Sequence, residues 1–464
     1  MSAPAPGGRV QDRADGEARF GPTGWGDYRR LWASSAVSAL GDGMRLTALP
    51  LLAVSYTTDP QLLALVTVAG TLPLLASPLA GVAADRWNRK RLLVTADLIR
   101  FLLIALLGLA VLADVVGLVL ICAAALLLGV CEVFFVVTAQ SFLPQVVRKD
   151  RMTAAYGRQH AAQLVSRDSV GQPLGGLLFA AGMALPFLLD AATFLGGVLL
   201  LLAVRPAPAP RAAGPGSAPG WGVMIREGYR YLRGERLLLT LAGMLGFINF
   251  FVAGVGAILV LYVLERLGLR PGAYGFFLAA GALGGVLGGT LAARARTRLG
   301  LFPAALAGLV LTGGSALVLG LTTVPVLAGA AFLLMTFGAV VYQTLTVSFR
   351  QTTVPPGVLG RVNGVYRLFG TGTAPLGALV AGAVAGRFGI RTPFLLAGVG
   401  LLLLAVLAWR PVTRMAATEE RGERKGEEPP GAPGDVGGKD GGSAADDRAD
   451  GGPPGTPRPR GEEE

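Results

Sequence analysis

The chain has 464 residues, of which 52% are hydrophobic and 15% charged, against about 25% charged in an ordinary soluble domain. Of 70 charged side chains, residues 1–30 hold nine and residues 411–464 hold 21, which leaves 40 for the 380 residues between. A stretch so poor in charge and so rich in Leu, Ala, Val and Gly cannot cover itself with a polar surface, so a water-soluble fold is excluded and lipid is its expected solvent.

A bilayer core of about 30 Å needs roughly 20 apolar residues as a helix. Twelve stretches meet that need: 31–56, 61–84, 92–113, 115–139, 164–184, 185–204, 237–262, 272–293, 301–321, 324–348, 366–386 and 391–410. The first follows a polar, Arg-containing segment and is too long for the core of a signal peptide, so it is expected to stay as a span. With the N-terminus in the cytoplasm, the inner segments hold 35 basic residues and the outer loops four, Arg266, Arg270, Arg387 and Arg391. That asymmetry places both termini inside, in the inner cell membrane.

Between spans six and seven, residues 205–220 read RPAPAPRAAGPGSAPG, a linker that continues neither helix. Trp221 to Arg236 follows as an amphipathic helix expected on the inner membrane surface. The predicted organisation is a cytoplasmic segment (1–30), a six-helix bundle (31–204), a linker with its amphipathic helix (205–236), a second six-helix bundle (237–410) and a tail (411–464). The tail is rich in Gly, Pro, Glu and Asp and is expected to be disordered.

The two bundles repeat each other. Pro173-Leu174-Gly175-Gly176 matches Pro375-Leu376-Gly377-Ala378, Pro186-Phe187-Leu188-Leu189 matches Pro393-Phe394-Leu395-Leu396, and Gly81-Val82-Ala83-Ala84-Asp85-Arg86 matches Gly289-Thr290-Leu291-Ala292-Ala293-Arg294. The offsets are 202, 207 and 208 residues. The expected fold is an all-α membrane protein of twelve transmembrane helices in two six-helix pseudo-repeats. In such repeats the substrate site lies at their interface near mid-bilayer.

The net charge of +12 does not indicate nucleic acid, because the arginines stand in short tracts between apolar runs. Four lysines, Lys90, Lys149, Lys425 and Lys439, are too few and misplaced for a Walker loop, so ATP is not expected. Glycines 281, 285 and 289, with 284 and 288, read as a helix-packing stripe. The single histidine, His160, excludes His-based metal clusters, and no cofactor is expected. Cys122 and Cys131 would lie about 13 Å apart along one helix, too far for a disulfide.

Ionisable residues inside a bilayer are costly and mark function. Asp42 lies about eleven residues, or roughly 16 Å, into the first span. Arg45, three residues on, shares its face, and a pair held so suits binding or structure. Glu132 in span four has no sequence neighbour of opposite charge, which favours it as a proton carrier. Both acids are proton-coupling candidates, and each is otherwise a buried link between helices. Arg45, Gln140, Asn249, Tyr342 and Gln343 stand at possible cavity depth, as ligand contacts or helix glue. Asp190, in span six, is expected to be structural.

Gly81 to Arg91 (GVAADRWNRKR) resembles the Gly-x-x-x-Asp-Arg-x-x-Arg-Lys-Arg loop of the major facilitator superfamily. Leu40-Gly41-Asp42, Leu189-Asp190-Ala191-Ala192-Thr193-Phe194, Val354-Pro355 and Gly360-Arg361-Val362 are similar to its bacterial macrolide-efflux and enterobactin-exporter branch. In a cytoplasmic gating loop, Gly81 permits close helix approach and Asp85 pairs with basic side chains or a helix N-terminus. The set Gly81, Asp85, Arg86, Arg89, Lys90 and Arg91, joined by Asp97 and Arg100, would latch one conformation. Alternatively, the loop's basic residues serve topology alone.

The resemblance implies a secondary transporter and not an enzyme: an exporter of amphiphilic small molecules in exchange for protons, acting as a monomer in the lipid bilayer. The alternatives are an uptake permease for a polar solute, or a non-transporting or enzymatic membrane protein. An enzyme of the prenyl- or glycosyl-transferase kind would need a carboxylate cluster at one membrane face.

Overall fold

The computed structural model describes residues 24–147, 151–205 and 221–426. The expectations for residues 1–23 and 427–464, and for most of the Pro/Ala/Gly linker, lie outside the described residues.

Among the described residues, ten helices are long and apolar enough to cross a membrane, and the remaining two of the twelve crossings, the second and the fifth, are segmented. The second runs through Pro60–Thr71, a tight 3-10 turn at Leu72–Ala76 and Ser77–Arg86. Pro73 and Pro78 each lack the N–H that a continuous helix needs. The fifth joins Met152–Gln163, a π-helical stretch at Leu164–Gly171 and Gln172–Ala181, whose first turn holds Pro173. The eleventh breaks alike, Pro356–Gly372 giving way to Ala374–Phe388 at Pro375. The repeated proline therefore sits at the same structural break in both halves.

The other crossings are Gly24–Tyr56, Arg89–Leu112, Leu118–Phe142, Leu185–Leu202, Arg236–Leu261, Pro271–Leu299, Leu301–Leu321, Pro325–Thr353 and the helix starting at Thr392. The first helix begins before residue 31, where its span was expected to start, and already buries Tyr28 and Leu31. The last runs as one helix to Gly426, so residues 411–426, expected to be disordered, are helical. The described residues up to Ala417 form one compact unit.

Within the first half, span six packs on spans one and three; in the second, span ten packs on spans eight and nine. Glycines set these approaches. A Cβ on Gly175 would lie 2.5 Å from Met44 O, and one on Gly43 2.1 Å from Arg167 O, so spans one and five meet backbone to backbone. In span eight the packing stripe is Gly281, Gly284 and Gly288, against the Phe332 ring, Leu333 O and Phe337 O. Gly285 and Gly289 meet only the Val340 side chain.

The halves join at two seams near the end of the bundle that holds Pro60. A Cβ on Gly275 of span eight would stand 2.4 Å from Gln172 O of span five. One on Gly382 of span eleven would stand 2.5 Å from the Ala64 methyl and 2.9 Å from Pro60 O of span two.

The amphipathic helix Trp221–Gly234 packs on protein in its C-terminal half. Leu232 is fully buried in a cluster with Leu238, Val354, Val362, Val365 and Tyr366. Gly228 lets the Arg361 carbonyl approach to 2.4 Å of a built Cβ, and Arg361 pairs with Glu227 at 2.9 Å. The helix thereby packs against the first segment of the eleventh span, Pro356–Gly372.

Candidate functional site

Five spans deliver ionisable side chains to one buried cluster. Span one supplies Asp42 and Arg45, joined at 2.8 Å across the three-residue spacing. Span three supplies Asp97 and Arg100, joined at 3.1 Å, and Arg100 also donates to Asp42 Oδ1. Its guanidinium lies over the Phe194 ring, 4.2 Å from the centroid, a cation–π contact that favours the buried charge.

Glu132 of span four accepts from Arg45 at 3.1 Å and from Arg167 of span five at 3.3 Å. The π-helical stretch at Leu164–Gly171 carries Arg167 and Asp168; such widened turns commonly mark functional positions. Asp190 of span six is fully buried, its Oδ2 3.8 Å from Arg45 Nε. Gly41 makes room for it: a Cβ there would fall 2.1 Å from both Asp190 Oδ1 and Thr193 Oγ1. The Leu40-Gly41-Asp42 and Leu189-Asp190 motifs are thus two sides of one contact.

Exposure grades across the cluster. The Arg100 and Asp97 side chains are wholly buried, whereas Glu132 is 23% and Arg167 36% exposed. Charged atoms at this depth are too costly to present to lipid, so the accessible edge faces water between the helices.

The sequence candidates divide accordingly. Asp42, Arg45 and Glu132 come together as a constellation. Glu132, expected to lack a partner, has two arginines, because its partners come from spans one and five and not from its own helix. Asp97 and Arg100, assigned above to the gating loop, belong to this cluster: Arg100 stands eleven residues into a helix that begins at Arg89, as deep as Asp42. Asp190 also belongs here, since its side chain reaches the level of Arg45. Arg167, inside the fifth predicted stretch (164–184), was not among the candidates; its place at the start of an apolar stretch was the available signal.

Gln140 is exposed, with its main-chain oxygen accepting from Tyr156 at 2.9 Å. Asn249 donates to Leu245 O of its own helix at 2.9 Å, so it is intrahelical glue. Tyr342 is buried in the second-half core with Leu241, Met244 and Leu345, and Gln343 is exposed. None of these four joins the cluster. Arg350, outside the cluster, is also buried, with its guanidinium 4.1 Å over the Tyr366 ring.

In the loop after span two, Arg89 donates to Ala84 O and Ser141 O, and Lys90 to Leu202 O and Val204 O. These cations cap helix C-termini, where the dipole favours them. Arg91 is exposed. The side chains of Asp85 and Arg86 lie outside the described residues. Gly81 makes no close approach, since a Cβ there meets nothing within 4 Å.

The cluster's composition suits ion binding and conformational coupling. Among the described residues no group of three or more His, Cys, Asp or Glu is arranged to hold a metal.

The fold and the motifs have relatives. A solved nucleoside transporter, NupG, superposes with a TM-score of 0.70 at 12% identity, over 84% of this chain and 99% of that one. The multidrug efflux pump Tap of Mycolicibacterium fortuitum is 28% identical over 397 residues, covering 82% of this chain and 93% of that protein. The enterobactin exporter EntS of Shigella boydii is 26% identical over 395 residues, covering 82% and 90%. A family model described as a transmembrane secretion effector, of the MFS type, matches residues 17–431. This chain therefore belongs to that family of multi-pass secondary transporters in the efflux branch of the major facilitator superfamily.

Proposed function

We propose that the protein is a proton-coupled exporter of amphiphilic small molecules in the cell membrane, with both termini in the cytoplasm. The reading rests on the ion cluster. Three guanidiniums and five carboxylates meet at mid-membrane depth, with Glu132 and Arg167 as the accessible edge. A fixed ion-pair lattice needs no such edge, whereas an antiporter needs a carboxylate that both a proton and a substrate can reach. Glu132 takes that part, Asp42 anchors Arg45 and Arg100, and the two six-helix halves rock about the cleft between them. Tap and EntS, an efflux pump and an exporter by name, support the outward direction and a small-molecule cargo, and nothing in the reading requires more than one copy.

The arginine asymmetry assigns the Pro60 end to the outside. The closed seams at Gly275 and Gly382 then correspond to a state shut outward.

The test is accumulation of a panel of dyes and antibiotics in a drug-sensitive host, with and without the protein and with a proton uncoupler. Lower accumulation that the uncoupler abolishes is expected. Accumulation unchanged for every compound contradicts the broad-exporter reading.

A further inference from the structure

With all eight groups ionised, the cluster would carry two more negative than positive charges. One carboxylate also stands apart in its bonding. Asp42 and Glu132 each accept from two arginines, Asp97 accepts from Arg100 and Ser38, and Asp168 accepts from Gln172 beside Arg167. Asp190, fully buried, has no hydrogen-bond partner at Oδ2, where its only cation, Arg45, stands 3.8 Å off. Its Oδ1 lies 3.4 Å from Thr193 Oγ1, but that hydroxyl has one hydrogen, directed to Asp190 O at 2.7 Å. An ionised carboxylate left so is strongly disfavoured in a dry interior. The neutral acid fits, because an O–H on Oδ1 donates to the free lone pair of Thr193 Oγ1. Arg45 Nε, 3.8 Å away, is itself buried without an acceptor.

From this geometry we infer that Asp190 is a resident proton-binding site, exchanging its proton with Glu132 through a swing of Arg45. In one state Asp190 is neutral and Arg45 pairs with Glu132. In the other, the O–H bond at Asp190 breaks and one forms at Glu132, while Arg45 Nε closes on Asp190 Oδ2. One proton moves and the cluster's charge is unchanged. Glu132, at the accessible edge, then exchanges that proton with water. The groups facing Asp190 that set the balance are Asp42 and Arg45 from span one and Asp97 and Arg100 from span three, with Glu132 and Arg167 beyond Arg45. The inference rests on the proton-coupled reading, but its test does not use transport.

The test is infrared spectroscopy of the purified full chain in lipid nanodiscs at near-neutral pH, without substrate or gradient, following the C=O stretch of protonated carboxyl groups. Asp190→Asn should remove a band that Asp168→Asn retains. Glu132→Gln frees Arg45 to pair with Asp190, and the band should weaken there too. Thr193→Val, which leaves every ionisable group in place, should shift the band by removing its hydrogen-bond acceptor; this variant decides the matter if Asp190→Asn does not fold. A band unchanged in folded Asp190→Asn, or unmoved in Thr193→Val, overturns the assignment. A band lost as expected, alongside transport indifferent to pH, upholds the proton site and contradicts only the coupling reading.

Discussion

Arg100, fully buried in the third span, donates to Asp42 of the first and at 3.1 Å to Asp97 of its own helix, so one guanidinium bridges two carboxylates 55 residues apart in the chain. Removing it leaves Asp97 with no cation and only the Ser38 hydroxyl, and Asp42 with Arg45 alone. Breaking a buried pair by deleting one partner costs about 3–5 kcal/mol. Arg100→Met should therefore lower the thermal midpoint of the detergent-solubilised protein well below that of Arg91→Met, which removes an exposed loop charge. Equal midpoints would show that Arg100 holds nothing together.

Gly41 and Gly81 both lie in family-like motifs, but space separates them. Gly41→Ala drives a methyl into Asp190 and Thr193 and should abolish transport or folded yield. Gly81→Ala enters open space and should keep transport within about twofold, the scale of a few tenths of a kcal/mol. Membrane yield and dye efflux measured side by side check the contrast.

The seam residues make a prediction about state. Gly275→Val pushes spans five and eight apart and should open the outer gate as a unit, including the distant seam between spans two and eleven. A reporter cysteine at Gln61, which packs against Gly386, should then react faster with an external impermeant maleimide, in a background with Cys122 and Cys131 replaced. An unchanged rate means that the two seams open independently.

The helix Trp221–Gly234 is docked through Gly228 and the Glu227–Arg361 pair. The pair is part-exposed and worth little, about 1 kcal/mol at most, whereas Gly228→Leu should undock the helix. Greater protease sensitivity at the linker in Gly228→Leu, and none in Glu227→Gln, is the expected pattern.

Local signals in the sequence carried far, and the limits have physical causes. Twelve spans followed from apolar length, and the Asp42/Arg45 pair from a three-residue spacing. The partners of Glu132 did not, because Arg45 lies 87 residues away and only packing brings them together. Arg100 was grouped with the loop because it is near Arg91 in sequence, although helix rise already placed it deep. The last helix overruns its expected end because the composition of residues 411–464 as a whole marks disorder, whereas a proline such as Pro411 can sit within a long helix at the cost of one hydrogen bond.

The most direct measurement is dye transport in everted vesicles with an imposed proton gradient, comparing the native chain with Glu132→Gln. The account predicts gradient-driven dye accumulation that collapses with the gradient in the native chain. In Glu132→Gln that uphill component should be lost while downhill movement of the dye survives. Transport in the native chain indifferent to the gradient, or an undiminished uphill component in Glu132→Gln, would contradict it.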